Sequence, residues 1–438
     1  MSFAALAHSS SGHASSGHIS AQPDQSWRGY VCAILLALVW ISTQPFKAGT
    51  GANIETDGNV INQIVFSLAA IMAVASVLTA DMRVLSAYLR PSYGLMLGWI
   101  VFCVVTSSNF DVSLRAFFFT LVVLVIAAAA IVLPATQRDF ALMIGAAGLI
   151  VVLLCYLGLI VFPDAAMHSG EDIAEPEHAG SWRGLFDHKN VTGAMMSFFA
   201  MIGLYVATVR SKLLGWSLFA LSVLFLAFTM SKTSMALFPA ALILAACAER
   251  VRNPGWRAIL CFTPLMLLLT FTVGSVLFTP IHVLLNDISP GQTFTGRTEI
   301  WSFVFDRLKE RPWIGFGFEG FWGSDLVRRA ESGENETGIA QGMVHGHNSY
   351  VDMIITMGVP GLFLVCLVLL FLPLADYQKA RRFAGNEALA RLFFRLWLFA
   401  IHAACLESFF FRRADPVWFT LIIAVLGLRL VSLWRVAR

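Results

Sequence analysis

Apolar runs of about 20 residues, long enough for a helix to cross a bilayer, recur along almost the whole chain and constrain it more than any other feature. By that length rule candidate spans fall near residues 29–45, 60–80, 92–107, 112–133, 139–162, 191–209, 212–230, 233–249, 257–280, 348–374, 390–409 and 415–434. In a bilayer each backbone N–H and C=O must be satisfied within its own segment, so these runs are expected to be helices. The predicted fold is an all-α polytopic membrane protein of about twelve transmembrane helices. Hydrophobic residues make up 58% of the chain and charged residues 13%, an apolar excess that a soluble domain has no means of burying.

Residues 1–28 are rich in Ser, Ala, Gly and His and lack the basic start and apolar core of a signal peptide. They are expected to form a disordered cytoplasmic tail, which makes 29–438 a single transmembrane domain. The seven cysteines all lie inside apolar runs, so no disulfide or thiolate–metal site is implied. A net charge of +3 spread over both membrane sides suggests no nucleic-acid partner. Its distribution is more informative. With the N-terminus inside, the inner connections hold most of the 30 basic residues, Arg83, Arg90, Arg252, Arg381 and Arg382 among them, and few of the 27 acids. Both termini are therefore expected to be cytoplasmic.

Two outer segments, 163–190 and 281–347, are then long enough to form an active-site region. The first opens acidic (Asp164, Glu171, Asp172, Glu175, Glu177) and ends in Ser-Trp-Arg-Gly-Leu-Phe-Asp-His-Lys-Asn. The second carries Thr-Gly-Arg-Thr-Glu-Ile-Trp (295–301), Arg-Pro-Trp-Ile-Gly-Phe-Gly (311–317) and His-Gly-His-Asn-Ser-Tyr (345–350). Ile300, Val304 and Leu308 recur at helical spacing, which predicts a short amphipathic helix capped by Thr298 and ended by Pro312. Gly315, Gly317 and Gly320 are expected to make a flexible loop after it.

Under this topology the spans near 191 and 348 and the amphipathic helix each begin beside a cation or imidazole: Arg183, His188 and Lys189 at one, His347 at another, Arg297 at the third. Helix N-termini favour anions, so their convergence would make a diphosphate site. Plainer readings stand beside this one. Arg183 and Arg297 could hold lipid headgroups or Glu299, His347 could be a cap, and Lys232 in Ser-Lys-Thr-Ser could be an interfacial anchor. His345 and His347 could chelate zinc with His188, although one His-x-His pair is a weak zinc signal.

The string Gly296 to Gly317, His347-Asn348 and the small-residue start of the next span with Gly358 and Gly361 together resemble the O-antigen ligase/polymerase superfamily. That family joins the ligases of lipopolysaccharide assembly to polymerases of Wzy type. Leu185 to Asn190 resembles its exopolysaccharide polymerase branch, and Asn109 to Arg115 is similar to the family's short outer turn. The resemblance implies a GT-C-like glycosyltransferase with a large periplasmic loop between spans 9 and 10. It would act outside the inner membrane on undecaprenyl-diphosphate-linked sugars, with no metal or other cofactor. Arg183 and Arg297 fall on the family's essential arginines and His347 on its histidine. His188-Lys189 stand where the ligases commonly have a Pro-Asn-like pattern.

Elementary chemistry agrees with those roles. A diphosphate leaving group gains charge in the transition state, and arginine is a permanent two-pronged donor for it; Lys189 and Lys232 would add charge. No Asp-x-Asp pair stands in either outer loop to hold a cation. The acceptor hydroxyl needs a base, and a histidine at a helix N-terminus stays neutral, which fits His347; His188, Asn190, Asn348 and His345 would support it. The expected reaction is inverting polymerisation of exopolysaccharide repeats, with the lipid-linked oligosaccharide, membrane lipids and a chain-length regulator as partners. Its rivals are an O-antigen ligase acting on lipid A core and a transporter or flippase of lipid-linked sugar. A flippase would carry charges within its spans, and Glu407, near an outer end, is the clearest such exception.

Overall fold

A computed structural model describes residues 27–42, 45–46, 60–79, 82–169, 178–288, 296–331 and 343–437. The expected tail up to residue 26, the acids from Glu171 to Glu177, and Thr295 lie outside the described residues. Among those described, secondary structure is helical apart from one isolated bridge between Met167 and Trp182.

The principal helices are α1 (Trp27–Ile41), α2 (Val60–Val77), α3 (Pro91–Val105), α4 (Phe110–Val132), α5 (Gln137–Val161), α6 (Lys189–Val209), α7 (Lys212–Thr229), α8 (Lys232–Arg250), α9 (Pro254–Phe271), α10 (Arg297–Leu308), α11 (Ser349–Ala380), α12 (Glu387–Ala403) and α13 (Pro416–Val431). Eight of them, α2, α4 to α9 and α11, are long and apolar enough to cross a membrane. α1, α3 and α13 are apolar but shorter, and α12 carries Glu387, Arg391 and Arg395.

Local chemistry sets many of these starts. Thr136, Ser211 and Asn253 accept hydrogen bonds from first-turn amides of α5, α7 and α9, and Asp415 does so for α13. Pro254 and Pro416 occupy first-turn positions where a missing N–H costs nothing. α6 is the central helix, with 78% of its apolar window buried, against 17% for peripheral α9. α6 and α7 approach through small residues: a Cβ on Gly215 would sit 2.2 Å from the Ala207 nitrogen.

Several expectations need correction. α1 begins at Trp27, so the tail cannot extend to residue 28. The span expected over 257–280 stops at Phe271, because Thr272 leaves the helical region and short helices Val273–Leu277 and Thr279–Ile288 follow. The amphipathic helix exists as α10, burying Ile300, Trp301, Phe303 and Val304, but its N-cap is Gly296, and the Thr298 hydroxyl bonds Glu299 instead. The glycine loop is a packed turn and not a flexible one. Phe316 and Gly317 donate to the Ile355 and Thr356 carbonyls of α11 at 2.9 and 3.0 Å. α11 opens there for its partner: Gly358 has φ 68, and a Cβ on it would lie 2.3 Å from the Trp313 carbonyl oxygen.

Candidate active site

The loop before α6 is held by its own backbone. Arg183 and Gly184 both donate to the Ala166 carbonyl at 2.9 Å, Trp182 donates to Phe228, and the Trp182 ring stacks on Phe228. His188 is the N-cap of α6, its Nδ1 accepting the Asn190 N–H at 3.1 Å, while His168 Nε2 accepts that of Lys189 at 3.1 Å. His168, His178 and His188 form a cluster with ring centres 5.2 to 5.7 Å apart. Sequence reading passed over His168 and His178, because isolated histidines at the edges of an acidic loop carry no spacing signal.

Asn190, in the first turn of α6, donates to Glu407 Oε1 at 2.9 Å and accepts from the Ser231 hydroxyl at 3.1 Å. Arg297, the first residue of α10, donates to the Leu406 carbonyl at 2.6 Å and reaches the same Glu407 oxygen at 3.4 Å. Glu407 thus joins two of the predicted helix starts. Expected near the end of the 390–409 span, it stands instead at a turn after α12, which ends at Ala403.

The third start is built around Asn348. Its side chain accepts the Tyr350 and Val351 amides of α11 at 3.0 and 3.1 Å and donates to the Cys405 carbonyl at 2.8 Å. The preceding loop is clamped at Gly346, whose carbonyl accepts from Trp301 Nε1 and whose N–H donates to Asp352, both at 2.8 Å. A Cβ there would meet Asp352 Oδ1 at 2.8 Å, so any side chain would displace the carboxylate that holds the loop. His347 follows with φ 51, a left-handed conformation uncommon for a side-chain-bearing residue and concentrated at functional sites. Its ring lies 4.2 Å from that of His345.

These caps change the anion argument. First-turn amides of α6 and α11 are already bound by His188, His168 and Asn348, so an anion here would rely on side-chain cations more than on bare helix ends. His345 Nδ1 accepts the His347 N–H at 3.3 Å. Burial, together with the charges of His347, Arg412, His188 and Arg297, holds the His345 ring well below the usual imidazole range. Burial also pushes the Asp415 carboxyl up to about 6 and that of Glu319, beside Arg412 and Asp352, up to about 7.

Two cavities meet at these residues. The larger, about 2000 Å³, is lined at one end by His188, Lys189, Asn190, Lys232, Arg297 and His347. Its long wall is an apolar stripe of α8 (Leu237, Ala241, Leu244) facing one of α9 (Leu260, Pro264, Leu267, Phe271). The α9 stripe runs about 16 Å at 1.5 Å per residue, roughly half of a ~30 Å hydrocarbon core. The smaller cavity, about 270 Å³, shares His188, Asn190 and His347 with the first and adds His345. Arg183, predicted beside the diphosphate, lines neither; it is 4% exposed and donates to the Asp187 carbonyl at 3.2 Å. Among the described residues no group of three or more His, Cys, Asp or Glu side chains is arranged to hold a metal ion. In the suggested zinc set, His188 already spends its Nδ1 on the α6 cap.

A family model described as O-antigen ligase matches residues 217–366, which include Lys232, Arg297, His345, His347 and Asn348 but stop short of Glu407. The chain is also 25% identical over 206 residues to the exopolysaccharide production protein ExoQ of Rhizobium meliloti (strain 1021). That similarity covers 43% of this chain and 45% of the relative, so less than half of the relative's length is matched. With the apolar helices, these matches describe a multi-pass membrane protein that is similar over residues 217–366 to the O-antigen ligase family and, over less than half its length, to an exopolysaccharide production protein.

Proposed function

We propose that the protein is a GT-C-like glycosyltransferase of twelve spans, α12 and the three shorter apolar helices included. It would have both termini in the cytoplasm and its site on the periplasmic face of the inner membrane. It polymerises undecaprenyl-diphosphate-linked repeat units of an exopolysaccharide, and a chain-length regulator would be its protein partner. The observation that carries this reading is the larger cavity. A cationic end with imidazoles opens onto an apolar wall half a membrane deep, the complement of a diphosphate on a polyprenyl tail.

In the reaction, a hydroxyl oxygen of the incoming repeat attacks the anomeric carbon of the donor chain and the bond from that carbon to the diphosphate oxygen breaks, with inversion. His347 takes the hydroxyl proton. Arg297, Lys189 and Lys232 stabilise the charge that gathers on the departing diphosphate. Arg183 fixes the loop from which His188 and Lys189 project. No step requires a divalent cation.

The family description favours a second reading, in which the acceptor is lipid A core. Purified protein in proteoliposomes, supplied with lipid-linked repeats extracted from the producing strain, should build a ladder of longer glycans, and EDTA should leave it unchanged. Product only after lipid A core is added would favour the ligase, and relocation of the lipid with no new glycosidic bond would favour transport. Loss of the ladder in EDTA with recovery in Mg²⁺ would overturn the metal-free mechanism.

A further inference from the structure

The two cavities share His347 but differ in charge. The larger carries Lys189, Lys232 and Arg297, and among the described residues no Asp or Glu lines it. The smaller is lined by the carboxylates of Asp187, Glu407 and Asp415, with Arg412 and the hydroxyls of Ser234 and Ser408. Between them stands the bonded chain Arg297–Glu407–Asn190: Arg297 faces the larger cavity, Glu407 the smaller, and Asn190 both.

A diphosphate would be repelled by three carboxylates and attracted by three cations, so the donor's charged group belongs in the larger cavity. A neutral polyol has the opposite preference. Carboxylates accept hydrogen bonds from hydroxyls in pairs, and an arginine and serines supply donors in return. The smaller cavity holds about nine water-sized volumes at roughly 30 Å³ each, the bulk of about one sugar ring with its hydroxyls. Among the described residues its lining has no apolar stripe like that of α8 and α9 to receive a lipid tail.

We infer that the smaller cavity is a sugar subsite, which holds the terminal ring of the acceptor with its attacking hydroxyl directed at His347 while the lipid-linked donor occupies the larger cavity. This rests on the polymerase reading. The subsite recognises the sugar itself and leaves the acceptor's lipid outside. The Arg297–Glu407–Asn190 partition keeps the two substrates apart except beside His188 and His347, which line both cavities, and at His347 the acceptor oxygen bonds the anomeric carbon as the diphosphate departs.

The test uses the full-length protein in proteoliposomes, with lipid-linked repeats from the producing strain as donor. The acceptor is the free repeat oligosaccharide released from that pool by mild acid, which has no diphosphate and can only accept. Asp187→Asn and Asp415→Asn should each raise the acceptor KM about 10- to 100-fold, the scale of hydrogen bonds to charged groups, with the donor KM within about twofold. Asparagine is itself a good N-cap, so Asp415→Asn keeps the start of α13, and the exposed side chain of Asp187 projects from a loop whose other residues are mostly buried, so its isosteric replacement by Asn should not impair folding. An unchanged acceptor KM in both variants, or a donor KM that rises instead, would overturn the subsite. So would failure of the wild-type protein to extend the free sugar while it still elongates the lipid-linked pool. Failure to elongate even that pool would overturn the polymerase reading itself.

Discussion

The two ends of α11 carry the same residue types to opposite effect. At its C-terminal end Asp376, 1% exposed, lies between Arg90 at 2.7 Å and Arg429 at 3.5 Å, and nearby Glu249 lies between Arg391 and Arg395. Each carboxylate is enclosed by cations, and the cluster lines neither cavity. At the N-terminal end Glu407 meets Arg297 at a looser 3.4 Å, and Lys189, Lys232 and Arg297 open onto the large cavity. Closed pairing fixes helices in register, whereas Lys189, Lys232 and Arg297 keep a face on a cavity. Charge count alone would rank the ends equal; geometry separates them.

The largest expected effect is at His347. Asparagine is the informative replacement because it tolerates the left-handed backbone that this residue adopts, so a loss reports the imidazole and not the fold. His347→Asn should slow glycan elongation roughly 10²- to 10⁴-fold in a protein that still binds lipid-linked donor, and His345→Ala should keep substantial activity. If His345→Ala is instead the inactive variant, the base has been misassigned between two rings in contact. Next comes the closed end. Asp376→Ala leaves two arginines uncompensated and should cost roughly 3–5 kcal/mol of stability, read as a lower melting temperature in detergent, with the activity per folded molecule preserved. A catalytic defect without destabilisation would break the contrast between the ends.

Arg297→Lys should keep the fold and lower transfer roughly 10- to 100-fold, because lysine retains charge but not the planar fork that spans Leu406, Glu407 and a diphosphate. Near-normal elongation would return Arg297 to a lipid-headgroup role. The smallest effect is at Glu319. Its carboxyl is raised in the folded protein from 4.5 to about 7, chiefly by burial. Its contribution to stability is therefore complete below about pH 4.5 and is lost as pH rises through 7. Glu319→Gln removes that titration, so its melting temperature should exceed that of the wild type by a few degrees at pH 8 and by less at pH 5. An equal difference at both pH values would mean that the side chain does not titrate there.

Much of this was legible in the residues. Each expected span from 29–45 to 415–434 has a helix over it, and three motif residues, His188, Arg297 and His347, line one cavity. The misses have physical causes. Thr298 looked like a cap, but Gly296 enters α10 in a left-handed conformation and leaves the Thr298 hydroxyl to Glu299. Gly315 and Gly317 looked flexible, yet the α11 backbone leaves no room for a Cβ at Gly315 and Ser107 leaves none at Gly317. Arg183 matched a family motif, but its guanidinium turns back onto its own loop.

What the sequence determined by itself was everything set by local rules: helices where the bilayer allows no other backbone, polar turns between them, and a concentration of cations and imidazoles in two of the longer connections. Only the tertiary structure decided which of those charges line a cavity. Glu407 meets Arg297 across 110 positions and Asn190 across 217, and no periodicity or hydropathy extends over such distances. The partition between the two cavities, the clamp on Gly346 and the cavity-lining cations at one end of α11 all arise from contacts between helices, because side-chain pairing is settled by how the helices pack and not by where each begins.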